Sequence, residues 1–326
     1  MKPKVAFIVV CWNNSDLLKT CLNTIKEQDY PEIETILVDN DSKDDSVEVA
    51  RKLMPDIRII QNESNRGFAE GNNIGIKEAL EDKSVKYVAL LNTDATLDKS
   101  WTSSIVNFCK DKPQAACLQG TTLDYYDHDV IDSTHIYLAR SGQATQGNWR
   151  EYYQGAEYGP RKVFGVNAAA CVITRDFIEA QPFKDLFDQT MFMYLEDVDL
   201  STRATIMGWD NYLVPGARAY HMGSVSSSKK DPSYSLYMTF RNNSGVILKN
   251  MPIGIMFKLM PRIAKSDYQT FQHLRKQGKS KAARSIVKAR FAATLYVPIF
   301  LFKRLKLSRH KNIDTDYLWT IMKKGY

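Results

Sequence analysis

The chain has 326 residues, 44% of them hydrophobic and 25% charged, which excludes a disordered or low-complexity protein. That length suits one large α/β domain with an appendage, or two modest domains. The net charge of +7 is uneven: residues 249–326 hold 18 Lys and Arg against 3 Asp and Glu, while residues 1–248 carry a balance of −8.

Lys2 and Lys4 precede an apolar run that stops at Cys11-Trp12-Asn13-Asn14 with no small-residue cleavage site, so it reads as a buried strand rather than an export signal. Leu17, Leu18, Cys21, Leu22 and Ile25 then recur at helical spacing. Thr35–Val38 is a second strand, Asp44–Leu53 a helix with acids in its first turn, and Arg58–Ile60 a brief third strand. Phe68–Leu80 is helical and Tyr87–Leu91 is a fourth strand. This alternation predicts a doubly wound, mostly parallel α/β sheet with helices on both faces. Residues 121–220 are less regular, and from about residue 245 the chain turns basic and helical in pattern. The expected division is a catalytic unit over 1–248, with halves 1–120 and 121–248, and a basic helical extension over 249–326. The five cysteines form no C-x-x-C pair and are odd in number, which favours reduced core thiols and a cytosolic setting.

The polar clusters fall at one place in this pattern. Trp12-Asn13-Asn14, Asp39-Asn40-Asp41-Ser42, Asn62 to Gly67 and Asn92-Thr93-Asp94 each follow a strand, at the edge where open α/β sheets bind ligands. Asp39 and Asp41 can accept hydrogen bonds from a nucleobase or ribose; a helix cap or turn would use the same residues. Arg66, Gly67 and Asn72 lie in a glycine-containing stretch opening a helix, suited to a diphosphate; a softened loop is the plainer alternative. It lacks the G-x-G-x-x-G of dinucleotide binding. Asp94 can present a carboxylate to Mn²⁺ or Mg²⁺ bridging two phosphates, and His221, in Tyr220-His221-Met222-Gly223, could complete an oxygen-plus-imidazole site. An isolated Asp caps, and an isolated His packs. Glu196-Asp197-Val198-Asp199 directly follows the apolar Phe192–Leu195. Acids so placed are solvated in a cleft, paired, or working, and one could act as general base on an acceptor hydroxyl. A helix start with dipole-favourable acids is the alternative, with Arg203 four residues beyond Asp199 as a partner.

Taken in order and spacing, these pieces resemble glycosyltransferase family 2, of the GT-A fold, and within it the bacterial rhamnosyltransferase-like branch. The resemblance covers roughly residues 4–250. It rests on Trp12-Asn13-Asn14, Leu37 to Ser42, Asn65–Gly75, Leu90 to Asp94, Phe192 to Leu200 with Arg203 and Gly208-Trp209, and His221. It implies an inverting hexosyltransferase using a dTDP- or UDP-linked sugar, with a glycan or lipid-linked glycan as acceptor, in cell-surface polysaccharide synthesis. It implies Asp39 reading a pyrimidine base, and Trp12, Asn14, Asp41, Arg66, Gly67, Asn72 and Asn92 serving the donor. Asp94 and His221 would hold the metal, Asp197 would be the base, and Glu196, Asn167 and Trp209 would serve the acceptor. Three positions depart from the family pattern: Asn92 replaces an acid, Asn167 a frequent Gly, and Thr93 a frequent Pro. Asn92 keeps open the alternative of an inactive nucleotide-sugar or glycan binding module.

The extension contains the apolar stretch Ala292–Phe302, interrupted by Pro298 and followed by Lys303-Arg304. It is shorter than the ~20 residues of a spanning helix. A peripheral anchor on the anionic cytosolic face of a membrane fits it, and so does a helical arm packed on the catalytic unit. Nothing resembles a nucleic-acid-binding motif, so no nucleic-acid partner is expected.

Overall fold

A computed structural model describes residues 2–155, 159–223 and 232–322. The chain opens as β1 (Lys4–Cys11), α1 (Ser15–Lys26), β2 (Ile33–Asp39), α2 (Ser46–Leu53), β3 (Arg58–Gln61), α3 (Gly67–Glu81) and β4 (Val85–Leu91). It continues through β5 (Ala95–Leu97), α4 (Trp101–Cys109), β6 (Ala115–Gln119), β7 (Thr122–Asp124), β8 (Ile131–Ser133), β9 (Ile136–Leu138) and β10 (Ala144–Gln146). Next come β11 (Arg161–Val163), β12 (Ala170–Thr174), α5 (Arg175–Ala180), α6 (Glu196–Ile206), β13 (Asp210–Leu213) and β14 (Ala219–His221). The chain finishes as α7 (Pro232–Asn250), α8 (Ile253–Lys276), α9 (Ser280–Leu295), α10 (Val297–Ser308) and α11 (Thr315–Ile321).

The main sheet has eight strands in the order β11-β13-β6-β12-β4-β1-β2-β3. Strand β1 sits inside it and is apolar from Val5 to Cys11 because both its faces are covered. Val5, Phe7 and Val9 enter one core with Leu18, Leu22 and Trp101, while Ala6 and Ile8 enter the other with Ile76, Val88 and Leu90. Gly75 in α3 lets that helix close on the sheet, since a Cβ there would stand 2.5 Å from Ile8 Cγ2.

The sheet is mixed but mostly parallel, as the sequence pattern predicts: four of its seven pairings are parallel and three antiparallel. Strands β1, β2, β3 and β4 are parallel neighbours, but β12 runs antiparallel to both β4 and β6. This reversal positions the site. Ala170 faces Leu91, so the segment entering β12 lies beside the carboxyl end of β4, and Asn92 N–H donates to the Ala169 carbonyl at 2.9 Å.

A second, four-stranded sheet has the order β5-β14-β7-β8. It folds residues distant in sequence onto the turn after β4: His221 registers with Ala95, and Met222 N–H donates to the Asp94 carbonyl at 2.9 Å.

The helical region begins at Pro232, earlier than the basic composition suggests, and the boundary expected at 248/249 falls inside α7. One face of this region is tied to the α/β unit. Lys249 is buried and donates to Asp188 at 2.7 Å and to Asp199 at 2.8 Å. Asp199 also accepts from Arg203 at 3.1 Å and Asn250 at 2.8 Å. Burial opposes a charged Asp188, but the Lys249 and Lys303 ammoniums hold its carboxyl well below the usual carboxylate range. No single helix among the described residues is long and apolar enough to cross a membrane; α9 and α10 reach that length only together, across a 62° bend. All five cysteines are free and buried.

Candidate active site

The carboxyl ends of β1, β2 and β4, the entry to β12, the start of α6 and the first turns of α7 enclose a cavity of about 830 Å³. Nine of the residues expected at a site line it: Trp12, Asn14, Gly67, Asn92, Asp94, Asn167, Glu196, Asp197 and His221. They come from separate stretches of chain, so the fold, not local sequence, assembles them.

Part of the cavity wall is built on the small sheet. His221 Nε2 lies 3.4 Å from Asp94 Oδ1, and its Nδ1 lies 3.0 Å from Asp132 Oδ2. Burial favours the neutral ring, but hydrogen bonds to Asp132 and Asp94 outweigh it and push the His221 pKa up to about 10. Asp94 and His221 form an oxygen-plus-nitrogen pair open to the cavity. Asp132 holds the far ring nitrogen, the arrangement that orients metal-binding imidazoles. The pair therefore fits a divalent cation that displaces the Nε2 proton. No cluster of three or more His, Cys, Asp or Glu suited to a metal occurs among the described residues, so such an ion would draw its other ligands from a diphosphate and water.

Another part of the cavity wall is acidic. Asp197 Oδ1 accepts from Val198 N–H at 2.7 Å and Oδ2 from Ala168 N–H at 3.4 Å. Burial drives the Asp197 carboxyl above the usual range, and these N–H groups restrain the rise. Glu196 is raised as well, by burial first and then by the Asp197 charge, and its Oε2 has no hydrogen-bond partner. Both carboxyls are thus held above the usual carboxylate range, and the pair gives up its protons at higher pH than two free acids would. Asp199, of the same acidic run, is fully buried in the Lys249 cluster and faces away from this chemistry.

The remaining expected residues lie off the cavity wall. Asp39 is buried at the end of β2, and both its oxygens lie 3.3 Å from Ser42 N–H. Asp41 adopts φ 65° and pairs with Lys43. This loop is fastened to the one after β1, since Asn13 N–H donates to Ser42 Oγ at 3.0 Å and Lys43 N–H to Asn13 Oδ1 at 2.6 Å. Arg66 is exposed, 3.9 Å from Glu70. Asn72 is buried within α3 and donates to the Phe68 carbonyl at 2.9 Å. Trp209, expected at the acceptor end, packs on Phe177 at 5.5 Å between centroids instead, against the second core.

Two features escape sequence reasoning. Asp132 is one, an ordinary strand acid until β8 brings it to His221. The other is the loop before Glu196. Phe192, Tyr194 and Leu195 all have positive φ, near 62°, 70° and 67°, a costly conformation for such side chains. Asn242 of α7 holds it, donating to the carbonyls of Met191, Met193 and Tyr194 at 2.9, 2.9 and 2.7 Å. Arg241 donates to Thr190 and Met191 carbonyls at 2.9 and 3.0 Å. Gly67, at φ 75°, makes room, since a Cβ there would stand 2.6 Å from the Phe192 carbonyl oxygen. No sequence signal marks Asn242 beyond a polar pair inside a helix.

Comparison with known proteins places this geometry. The family described as Glycosyl transferase family 2 matches residues 6–178. The poly-beta-1,6-N-acetyl-D-glucosamine synthase of Staphylococcus epidermidis is 29% identical over 118 residues, 36% of this chain and 28% of that protein. The N-acetylglucosaminyl-diphospho-decaprenol L-rhamnosyltransferase of Mycobacterium tuberculosis is 25% identical over 221 residues, 63% of this chain and 71% of that protein. The chain thus spans little more than a quarter of the length of some curated relatives it matches. The solved mannosyltransferase PcManGT of Pyrobaculum calidifontis, in complex with GDP-Man and Mn²⁺, superposes with a TM-score of 0.54 at 17% identity, covering 95% of this chain and 86% of that one. That likeness shows the fold, a GT-A-like α/β architecture with a helical C-terminal region.

Proposed function

We propose, from the premise that this chain belongs to glycosyl transferase family 2, that it transfers a sugar from a nucleotide-diphosphate donor to a glycan hydroxyl, with inversion at the anomeric carbon. The observation that carries this reading is that one cavity is lined both by the Asp94–His221 pair and by the carboxyls of buried Glu196 and half-buried Asp197. The first suits a diphosphate with its cation, and the second suits a hydroxyl that must lose a proton.

In this reading the nucleotide lies across the ends of β1, β2 and β4, with Asp39 toward the base and the diphosphate toward Asp94 and His221. A bound Mn²⁺ or Mg²⁺ supplies countercharge to the leaving diphosphate. Asp197 takes the proton of the acceptor hydroxyl as its oxygen bonds to the anomeric carbon. The bond from that carbon to the diphosphate oxygen breaks on the opposite face, and nucleoside diphosphate departs. Glu196 and Asn167 stand beside Asp197, where they can orient the acceptor. Rhamnose as the sugar and a lipid-linked acceptor are supported by the name of the mycobacterial relative; dTDP-rhamnose or a UDP-sugar as donor rests on the family resemblance.

The test is turnover with a panel of dTDP- and UDP-sugars, Mn²⁺ and N-acetylglucosaminyl-diphospho-polyprenol. The expected result is nucleoside diphosphate release that EDTA abolishes. Donors that raise the melting temperature yet release nothing with any acceptor would leave a binding module and overturn the transfer reading.

A further inference from the structure

We infer that the elbow formed by α9 and α10 is a docking surface for an anionic phospholipid bilayer. Both helices are two-faced. Inward, Ile286, Ala289 and Phe300 are buried, and Phe300 sits so close to α7 that a Cβ on Gly245 would stand 2.7 Å from its ring. Arg290 faces inward too, donating to the Phe240 carbonyl at 2.8 Å and to Asp267 at 2.7 Å. Outward, large apolar side chains stand in solvent: Phe291 is 73% exposed, Leu295 72% and Phe302 71%, and Val287, Ile299 and Leu305 are exposed as well. Val287, Phe291 and Leu295 repeat every four residues, so they share one face of α9.

Charge selects the occupant. Exposed Arg284 precedes the apolar ridge, exposed Lys288 follows its first residue, and exposed Lys306 and Arg309 come after it. Between Asp267 and Asp314 the sequence contains no Asp or Glu, while Lys and Arg recur on both sides of the uncharged stretch 291–302. Aromatic and aliphatic side chains bounded by basic ones match an interface whose acyl boundary lies beneath anionic headgroups. A bend of 62° and the flanking charges suit lying on a bilayer, not crossing it. The anchor is thus this ridge, while α7 and Lys249 of the same basic region serve the catalytic unit. The inference is independent of the donor reading, since its test measures no turnover.

The experiment is co-sedimentation of the full chain with vesicles of phosphatidylcholine alone or of equal parts phosphatidylcholine and phosphatidylglycerol. The wild type should pellet with the anionic vesicles, less with neutral ones, and less again in high salt. Phe291→Ser with Phe302→Ser should weaken partitioning on the order of tenfold or more while leaving the melting temperature in place. Unchanged pelleting by the double variant would overturn the proposal. So would a wild type that stays in the supernatant but sediments alone as a dimer which the double variant dissociates, because the ridge would then bind a second copy of the chain.

Discussion

Asp197→Asn lowers kcat by about 10²–10⁴-fold, the range that a positioned general base contributes, and leaves donor affinity nearly unchanged. Asn keeps the size of the side chain and an acceptor oxygen for the Val198 N–H, giving up only the long 3.4 Å contact from the Ala168 N–H, so the start of α6 stays in place. It cannot take a proton. The effect therefore falls on the chemical step, and initial rates over a range of donor concentrations separate it from binding. The wild-type pH profile carries the same signature. Burial raises the folded-state pKa of Asp197, and the working form is the ionised one. Activity is accordingly lost as pH falls, on an acid limb above the ~3.9 of an ordinary aspartate. Asp197→Asn removes that limb from whatever rate remains. A variant with wild-type kcat would show that another group takes the proton.

Lys249→Ala destabilises the fold by about 3 kcal/mol, the lower end of the cost of leaving a buried charge without its partner. The ammonium sits between Asp188 and Asp199, with the three side chains almost wholly buried. Arg203 and Asn250 still contact Asp199, and Lys303 still contacts Asp188, which keeps the loss below the top of that range. In a chain of this size the change should lower the melting temperature by roughly 5–10 °C. Lys303→Ala, whose side chain is partly exposed, should cost less. Equal melting temperatures for Lys249→Ala and the wild type would show that the cluster is not holding α7 to α6.

The first half of the fold is legible because its strands are buried on both faces. Val5 to Val10 has no polar interruption, and each strand is followed by a polar loop, so both the sheet and its ligand edge are written locally. Asp197 is legible for a similar reason: acids directly after an apolar run demand a use. The direction of β12 is not, because an apolar strand of five residues reads the same in either orientation. His221 joins Asp94 only through pairing of β14 with β5, and Asp132 joins them only through β8, neither of which has a periodic signature. Acidic neighbours in sequence also mislead: Glu196 and Asp197 line the cavity, while Asp199, further around α6, faces the buried lysine. Lys249 misleads in the same way, since its charge counts toward a basic surface while its side chain is interior. Trp209 has the size and polarity of a sugar-stacking ring, and its contact with Phe177 is set by tertiary packing alone.

Calorimetric titration of UDP and dTDP, with and without Mn²⁺, is the most direct probe of the Asp94–His221 part of the cavity. The wild type should bind one of the two nucleotides at least about tenfold more tightly when Mn²⁺ is present, and Asp94→Ala should lose that gain while staying folded. Equal affinity for both nucleotides with and without Mn²⁺ in the wild type, or an undiminished gain in Asp94→Ala, would contradict the assignment of this part of the site to a metal-bridged diphosphate.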